Sequence, residues 1–320
     1  MSHRSLLTRA AAALAVGAAV LAGCASPAET PATPAAPAAD GAYPVTIPNA
    51  YGETTIPAEP TRVVAVGFNE ADFLLALGVV PVGVRDFIGE YDETARPWAQ
   101  EALAGAQPAD VGGTEINVEA IAALEPDLIM GVYSFMDRAT YDALSAIAPT
   151  VGPVSADGTV GWEEQTRITG TALGREEQAA DAIATVEQAF ADARAAHPGF
   201  AGREVTIDLP VNGVAYLLGA DDLRSSVFTG VGLTVPEATT ELGPETIGQL
   251  DSDALVVLGA TAEDMAGDPL FQSLPVVQEG RTIFTGGYEE DFNGAIGFGS
   301  PLSLPYAVEL ITPQLAAVLG

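Results

Sequence analysis

Arg175-Glu-Glu-Gln-Ala-Ala-Asp-Ala-Ile-Ala-Thr-Val-Glu-Gln-Ala-Phe-Ala-Asp-Ala-Arg-Ala-Ala-His197 is the stretch that decides the fold. Ala179, Ile183, Val186 and Phe190 recur along it at helical spacing and mark one apolar face. At 1.5 Å per residue the helix from Arg175 to Ala196 would be about 33 Å long, more than a crossover between neighbouring strands needs. The helical reading extends back through a joint at Gly174 to Trp162, so residues 162–198 hold no strand. On either side, short apolar runs alternate with amphipathic stretches, which is the α/β pattern. Strands are predicted at Thr61–Gly67, Val79–Val84 and Leu128–Val132 before it, and at Glu204–Leu209, Ala215–Leu218, Leu255–Leu258 and Arg281–Phe284 after it. Helices are predicted over Glu70–Leu77 and Asp137–Ile147, with another from Pro301 to Leu319 closing the chain. The division is an α/β lobe over 42–161, a helical linker over 162–198 and a second α/β lobe over 199–320.

An internal echo supports two related lobes. Glu119-Ala-Ile-Ala-Ala-Leu-Glu-Pro-Asp127 and Glu245-Thr-Ile-Gly-Gln-Leu-Asp-Ser-Asp253 repeat glutamate, isoleucine, leucine and aspartate at the same spacing. Each copy precedes an apolar strand, one on each side of the long helix.

Composition excludes several functions. The 320 residues are 48% hydrophobic, ample for a large core, and 43 acidic residues face 12 basic ones for a net charge of -31. All twelve are arginine, so a Walker A loop, a pyridoxal Schiff base and a lysine nucleophile are excluded, since each needs an amine. The two histidines, His3 and His197, cannot build a histidine-rich metal site, and no resident metal or cofactor is expected. The acidity argues against nucleic acid, which needs a basic footprint. The glycines of Gly286-Gly287 and of Gly294–Gly299 lack the strand–helix context of a phosphate cradle.

Residues 1–23 carry the marks of a leader. Arg4 and Arg9 form a basic head, and Ala10–Ala22 is an apolar run too short to span a bilayer comfortably. The run ends in Leu21-Ala-Gly-Cys24, which resembles a bacterial lipobox and makes Cys24, the single cysteine, the expected lipid attachment site. With one cysteine, no intrachain disulfide can form. Residues 24–41, rich in Ala and Pro, read as an extended tether with a reach of roughly 50 Å at about 3.1 Å per residue.

Four stretches then carry a family resemblance. They are Pro60-Thr-Arg-Val-Val64 with Leu75-Ala-Leu-Gly-Val79 and Pro81-Val-Gly83; Asn117-Val-Glu119 through Pro126-Asp-Leu-Ile129; Tyr133-Ser134 with Tyr141-Asp-Ala-Leu-Ser-Ala-Ile-Ala-Pro149; and Ser300-Pro-Leu-Ser-Leu-Pro-Tyr306. In order and spacing they resemble the ferric-siderophore and cobalamin-binding proteins of ABC importers, the siderophore branch more closely. The resemblance implies two Rossmann-like lobes joined by one long α-helix, with the ligand cleft between them. It implies a non-enzymatic, monomeric lipoprotein on the outer face of the cytoplasmic membrane, anchored there through its lipid. Such a protein captures a ferric siderophore and delivers it to the permease. It also assigns Glu119 and Glu245 to docking onto permease arginines, one from each lobe. Asn117 and Gly243 would cap the two helices, placing both glutamates in first turns, where a carboxylate also stabilises its own helix.

Ligands of open α/β sheets bind beyond the carboxyl ends of the strands. That rule makes Phe68, Asn69, Arg85, Tyr133, Arg224, Tyr288 and Phe292 cleft candidates, joined by Trp98 in or near the loop after Arg85 and by Trp162 at the start of the linking helix. The aromatics have a second reading as core filler and the arginines as surface ion pairs. Removal of the leader takes Arg4 and Arg9 and no acid, leaving ten arginines against 43 acidic residues. A field of that sign favours a neutral or cationic chelate, so a hydroxamate-type ligand is expected over a catecholate. A rival reading is an exported acid hydrolase that uses paired carboxylates, drawn from runs such as Glu163-Glu164 or Glu289-Glu290-Asp291.

Overall fold

The computed structural model describes residues 43–86, 91–155, 158 and 160–320. The leader, Cys24 and the tether lie outside the described residues. A hairpin of β1 (Val45–Asn49) and β2 (Gly52–Ile56) opens the chain. The first lobe comes next, with β3 (Val63–Ala65), β4 (Gly83–Val84), β5 (Ala109–Asp110), β6 (Leu128–Met130) and β7 (Thr150–Val151). They pair in parallel in the order β5-β4-β3-β6-β7. Helices α1 (Glu70–Ala76), α2 (Gln100–Leu103), α3 (Val118–Ala123) and α4 (Arg138–Ser145) lie between the strands. Every residue of β3 and β6 is buried, as a parallel sheet covered on both faces requires. The strand expected over Val79–Val84 shortens to Gly83–Val84. Val80 is 40% exposed, Pro81 has no N–H to give the ladder, and the first bond to β3 is from the Val82 N–H to the Val63 carbonyl.

The linker comprises α5 (Trp162–Leu173) and α6 (Glu176–Ala196), separated by Gly174 in the left-handed conformation, φ 62°. Ile168, Ala172, Leu173 and Ala179 pack into a first-lobe core with Val63, Ala65, Leu128 and Met130. Ile183, Val186, Phe190 and Ala193 pack into the second-lobe core with Val205, Ile207 and Val256. The same helical stripe therefore serves both cores. Each large side chain it buries contributes about 1.5–3 kcal/mol.

In the second lobe β8 (Val205–Val211), β9 (Val214–Leu217), β10 (Thr240–Leu242), β11 (Ala254–Val257) and β12 (Thr282–Phe284) take the order β10-β9-β8-β11-β12. β8, β11 and β12 are parallel, whereas β9 and β10 are antiparallel additions. The Asn212-Gly213 turn between β8 and β9 has both residues at positive φ, 51° and 80°, the geometry this dipeptide favours in a two-residue hairpin. Helices α7 (Ser226–Gly230), α8 (Pro269–Gln272), α9 (Pro275–Gln278), α10 (Asp291–Phe298) and α11 (Ser303–Leu319) complete it. Strand order reverses about β3 and β6 in one lobe and about β8 and β11 in the other, so each lobe has a crevice beyond those strands' carboxyl ends. Among the described residues no helix is long and apolar enough to cross a membrane.

Candidate functional site

Beyond β3 the chain runs Gly67-Phe68-Asn69 into α1, and beyond β6 it runs through Tyr133-Ser134-Phe135. The two segments are joined by a bond from the Phe68 N–H to the Tyr133 carbonyl, 3.1 Å. Glu70, the first residue of α1, is fully buried and folds back over Gly67, where a Cβ would collide with its carboxylate. Its Oε1 accepts the Tyr133 N–H at 2.5 Å, while Oε2 has no hydrogen-bond partner among the described residues. Burial pushes Glu70 up to about 7, against the backbone donors that favour its anion.

Arg85 lies just after β4 and turns inward. Nε donates to the Gly113 carbonyl at 2.6 Å, Nη2 to Thr114 at 2.6 Å, and Nη1 to Ser134 at 3.0 Å and Val66 at 3.3 Å. The guanidinium carbon sits 3.9 Å from the centroid of the Phe68 ring. Burial lowers its pKa, opposed by Glu70. Arg85 thus ties together the loops that hold Phe68 and Tyr133. Phe68, Tyr133 and Phe135 form an aromatic face, with Phe135 4.8 Å from Tyr133 and 6.3 Å from Phe68 between ring centroids. Phe135 is 53% exposed and has φ 52°, a left-handed conformation uncommon for a bulky residue and frequent where strain serves a site. A hollow bounded by Arg85, Ser134, Phe135 and Met136 opens beside it.

The second lobe contributes a short 3-10 turn over Leu223–Ser225, capped by Asp222, whose Oδ1 accepts the Arg224 N–H. The same carboxylate takes Arg224 Nε at 2.8 Å and Nη2 at 2.6 Å. The side chains of Arg224 and Asp222 are 29% and 16% exposed. Burial pulls Arg224 down, but Asp222, with the Tyr133 and Tyr288 hydroxyls, outweighs it and the net shift is upward. Tyr133 is raised to about 12, first by burial, then by Asp222, with Arg224 opposing. Tyr133 from one lobe therefore shares its electrostatic surroundings with Asp222 and Arg224 from the other. Tyr288 joins them, its ring over Gly259, where any Cβ would collide with it. Asp208, on β8, is fully buried with neither oxygen well hydrogen-bonded among the described residues, and burial, then Asp268, pushes it up to about 7 against the nearby Tyr216 backbone.

Of the sequence candidates, Phe68, Arg85, Tyr133, Arg224 and Tyr288 come to this region, Arg85 as a brace beneath it. Trp162 and Phe292 are core residues instead, 7% and 6% exposed. Trp162 packs edge-on against Phe190, and Phe292 against Phe228. Trp98 is half-buried at the junction of the lobes, where its Nε1 donates to Asp72 Oδ2 at 2.6 Å. Asp72 also accepts Arg96 Nε at 2.8 Å and, from the second lobe, Ser300 Oγ at 3.0 Å. The indole stacks on Tyr91 at 5.6 Å and meets Phe298 and Tyr306. Bonds from Tyr91 and Tyr306 to Asp291, and from Asn69 to the Phe298 carbonyl, pin the same junction. Sequence reasoning missed Phe135 and Asp222 as parts of the cleft.

Glu119 and Glu245 are both exposed. Glu119 is the second residue of α3, whose cap is Asn117 accepting the Ala120 N–H, as expected. Gly243 is not a helix cap. Glu245 lies in a turn closed by the Thr246 N–H on the Gly243 carbonyl, and only a 3-10 turn over Ile247–Leu250 comes after it. In the acidic runs, Glu164 pairs with Arg167 at the surface, and both oxygens of Asp291 are taken by tyrosines.

Residues 63–288 match the periplasmic binding protein family. A periplasmic solute binding protein from Mycobacterium smegmatis is 36% identical, with TM-score 0.78 over 86% of this chain and 99% of that one. The probable siderophore-binding lipoprotein YfiY of Bacillus subtilis is 29% identical over 229 residues, 66% of this chain and 67% of its own. The fold is also that of PiaA from Streptococcus pneumoniae, solved in complex with ferrichrome, at 24% identity and TM-score 0.72 over 86% of this chain and 98% of that one. This chain belongs to the periplasmic binding protein family.

Proposed function

We propose that the protein is the extracytoplasmic capture component of an ABC importer, that its ligand is a ferric siderophore, and that it hands this ligand to the permease. One observation carries the reading: Phe68, Tyr133 and Phe135 form an aromatic face beyond the first sheet, and Tyr133 in that face lies within electrostatic reach of Asp222 and Arg224 from the second lobe. Flat apolar walls with a few polar groups suit a rigid chelate whose iron is already coordinated. The names of the Bacillus and Streptococcus proteins point to the same cargo. A hydroxamate-type chelate is favoured over a catecholate. The acidic surface slows an anion's approach, and Arg85 is occupied beneath the cleft. The iron is cargo, and no residue is assigned a catalytic role. Cys24 would carry the lipid that holds a monomer at the outer face of the cytoplasmic membrane, with residues 24–41 as its tether. Glu119 and Glu245 would dock onto the permease.

Tryptophan-quench titration with ferric hydroxamates, run beside a panel of glycosidase substrates, tests the reading. Saturable quenching without turnover is expected. Turnover of any substrate with no response to ferric chelates would overturn it.

A further inference from the structure

The sequence singles out Arg224 as a cleft cation. The structure gives it a counter-ion two residues away, held by the same turn. Asp222 accepts three bonds from Arg224, one from its backbone N–H and two from its guanidinium, in the fork geometry that fixes a planar cation most firmly. Nη1 is the guanidinium nitrogen without a hydrogen bond among the described residues. Across the cleft, Arg85 has Nε, Nη1 and Nη2 all committed to backbone carbonyls. Arg96 is buried against Asp72. Among the described residues, Arg96 and Arg224 each face a carboxylate, whereas Arg85 keeps its charge but spends its donors beneath the aromatic face, and the rest of the molecule carries a strong excess of acid.

We propose that Asp222 is a selectivity residue: by neutralising Arg224 it sets the cleft for a ferric chelate of zero or positive net charge and against an anionic one. This deepens the siderophore reading and rests on it. Arg224 keeps Nη1 for a single hydrogen bond to a chelating oxygen, whereas a trianionic chelate needs several uncompensated cations to offset its burial. Selectivity by charge acts through the unfavourable partner as much as the favourable one, and Asp222 supplies the repulsive element beside Tyr133 and Tyr288.

The test compares wild type, Asp222→Asn and the double variant Asp222→Asn with Arg224→Gln, by calorimetric titration at low and moderate salt. The probes are a neutral ferric tris-hydroxamate and a trianionic ferric tris-catecholate. Asparagine keeps an oxygen for the Arg224 N–H, and thermal melts confirm that each variant is folded. The ratio of affinities, trianion to neutral, is expected to rise at least about tenfold in Asp222→Asn at low salt and less at moderate salt. Adding Arg224→Gln should abolish the gain. An unchanged ratio in Asp222→Asn, with wild type binding the hydroxamate, overturns the role of Asp222 while the siderophore reading stands. Wild type binding neither chelate overturns both.

Discussion

Arg85 and Arg224 look equivalent in the sequence, one arginine after a strand in each lobe, yet the structure uses them oppositely. Arg85 is 6% exposed and, among the described residues, bonds backbone carbonyls alone, holding the loops after β3, β5 and β6 in place. Arg224 is partly open, and among the described residues its side chain bonds Asp222 alone. An arginine without a carboxylate partner braces the fold here, whereas the one with a partner faces the ligand. Arg85→Ala should break this comparison hardest. It strands buried carbonyls and should cost about 3 kcal/mol or more, lowering Tm by roughly 6 °C or more for a domain of this size. Arg224→Ala should cost within about 1 kcal/mol of stability yet weaken chelate binding about tenfold or more. Equal melting points for the two variants would erase the distinction.

The lobes also share a feature, a buried carboxyl near the site in each. Glu70 rises from 4.5 to about 7 and Asp208 from 3.8 to about 7. Because the folded state holds these protons more tightly than the unfolded chain, it gains stability below about pH 4 and loses it as pH rises through 7. Thermal melts should therefore fall between pH 5 and pH 8. Glu70→Gln or Asp208→Asn should each recover on the order of 2 kcal/mol at pH 8 and little at pH 5. Melts that rise over that interval, or variants with the wild-type slope, would contradict this.

The fold was legible because its signals are long or periodic. The stripe Ala179, Ile183, Val186, Phe190 needs two cores to bury it, and the fully apolar β3 and β6 fit only a sheet covered on both faces. The site was legible only in part. Trp162 sits among polar residues and so looks ligand-facing, but Gln165, Thr166 and Thr169 on its helix are buried with it. Thr166 bonds the Trp162 carbonyl, Thr169 bonds the Gln165 carbonyl, and Gln165 bonds Asn69. Local bonds let a helix bury polar side chains, and neighbour polarity cannot reveal that. Gly243 failed as a cap because the repeated glutamate motif does not specify its own backbone, which is α3 in one lobe and a 3-10 turn in the other. Asp222 was missed because it is one of many acids, and its pairing depends on a turn that composition does not mark.

That difference between α3 and the 3-10 turn gives the comparison with the smallest expected effect on binding. Glu119→Ala and Glu245→Ala should each leave chelate affinity unchanged and impair uptake into cells, the double variant more than either. Weakened binding in either would remove that residue from the docking surface.

The aromatic face is the feature on which ligand capture depends most directly, and calorimetric titration of the leaderless protein with a neutral ferric tris-hydroxamate tests it. Wild type should bind one equivalent with Kd below about 1 μM, some 8 kcal/mol of binding free energy. Phe135→Ala, at an exposed position, should fold normally and bind at least about tenfold more weakly. Saturable binding of equal affinity in wild type and Phe135→Ala, or no binding of the chelate by wild type, would contradict it.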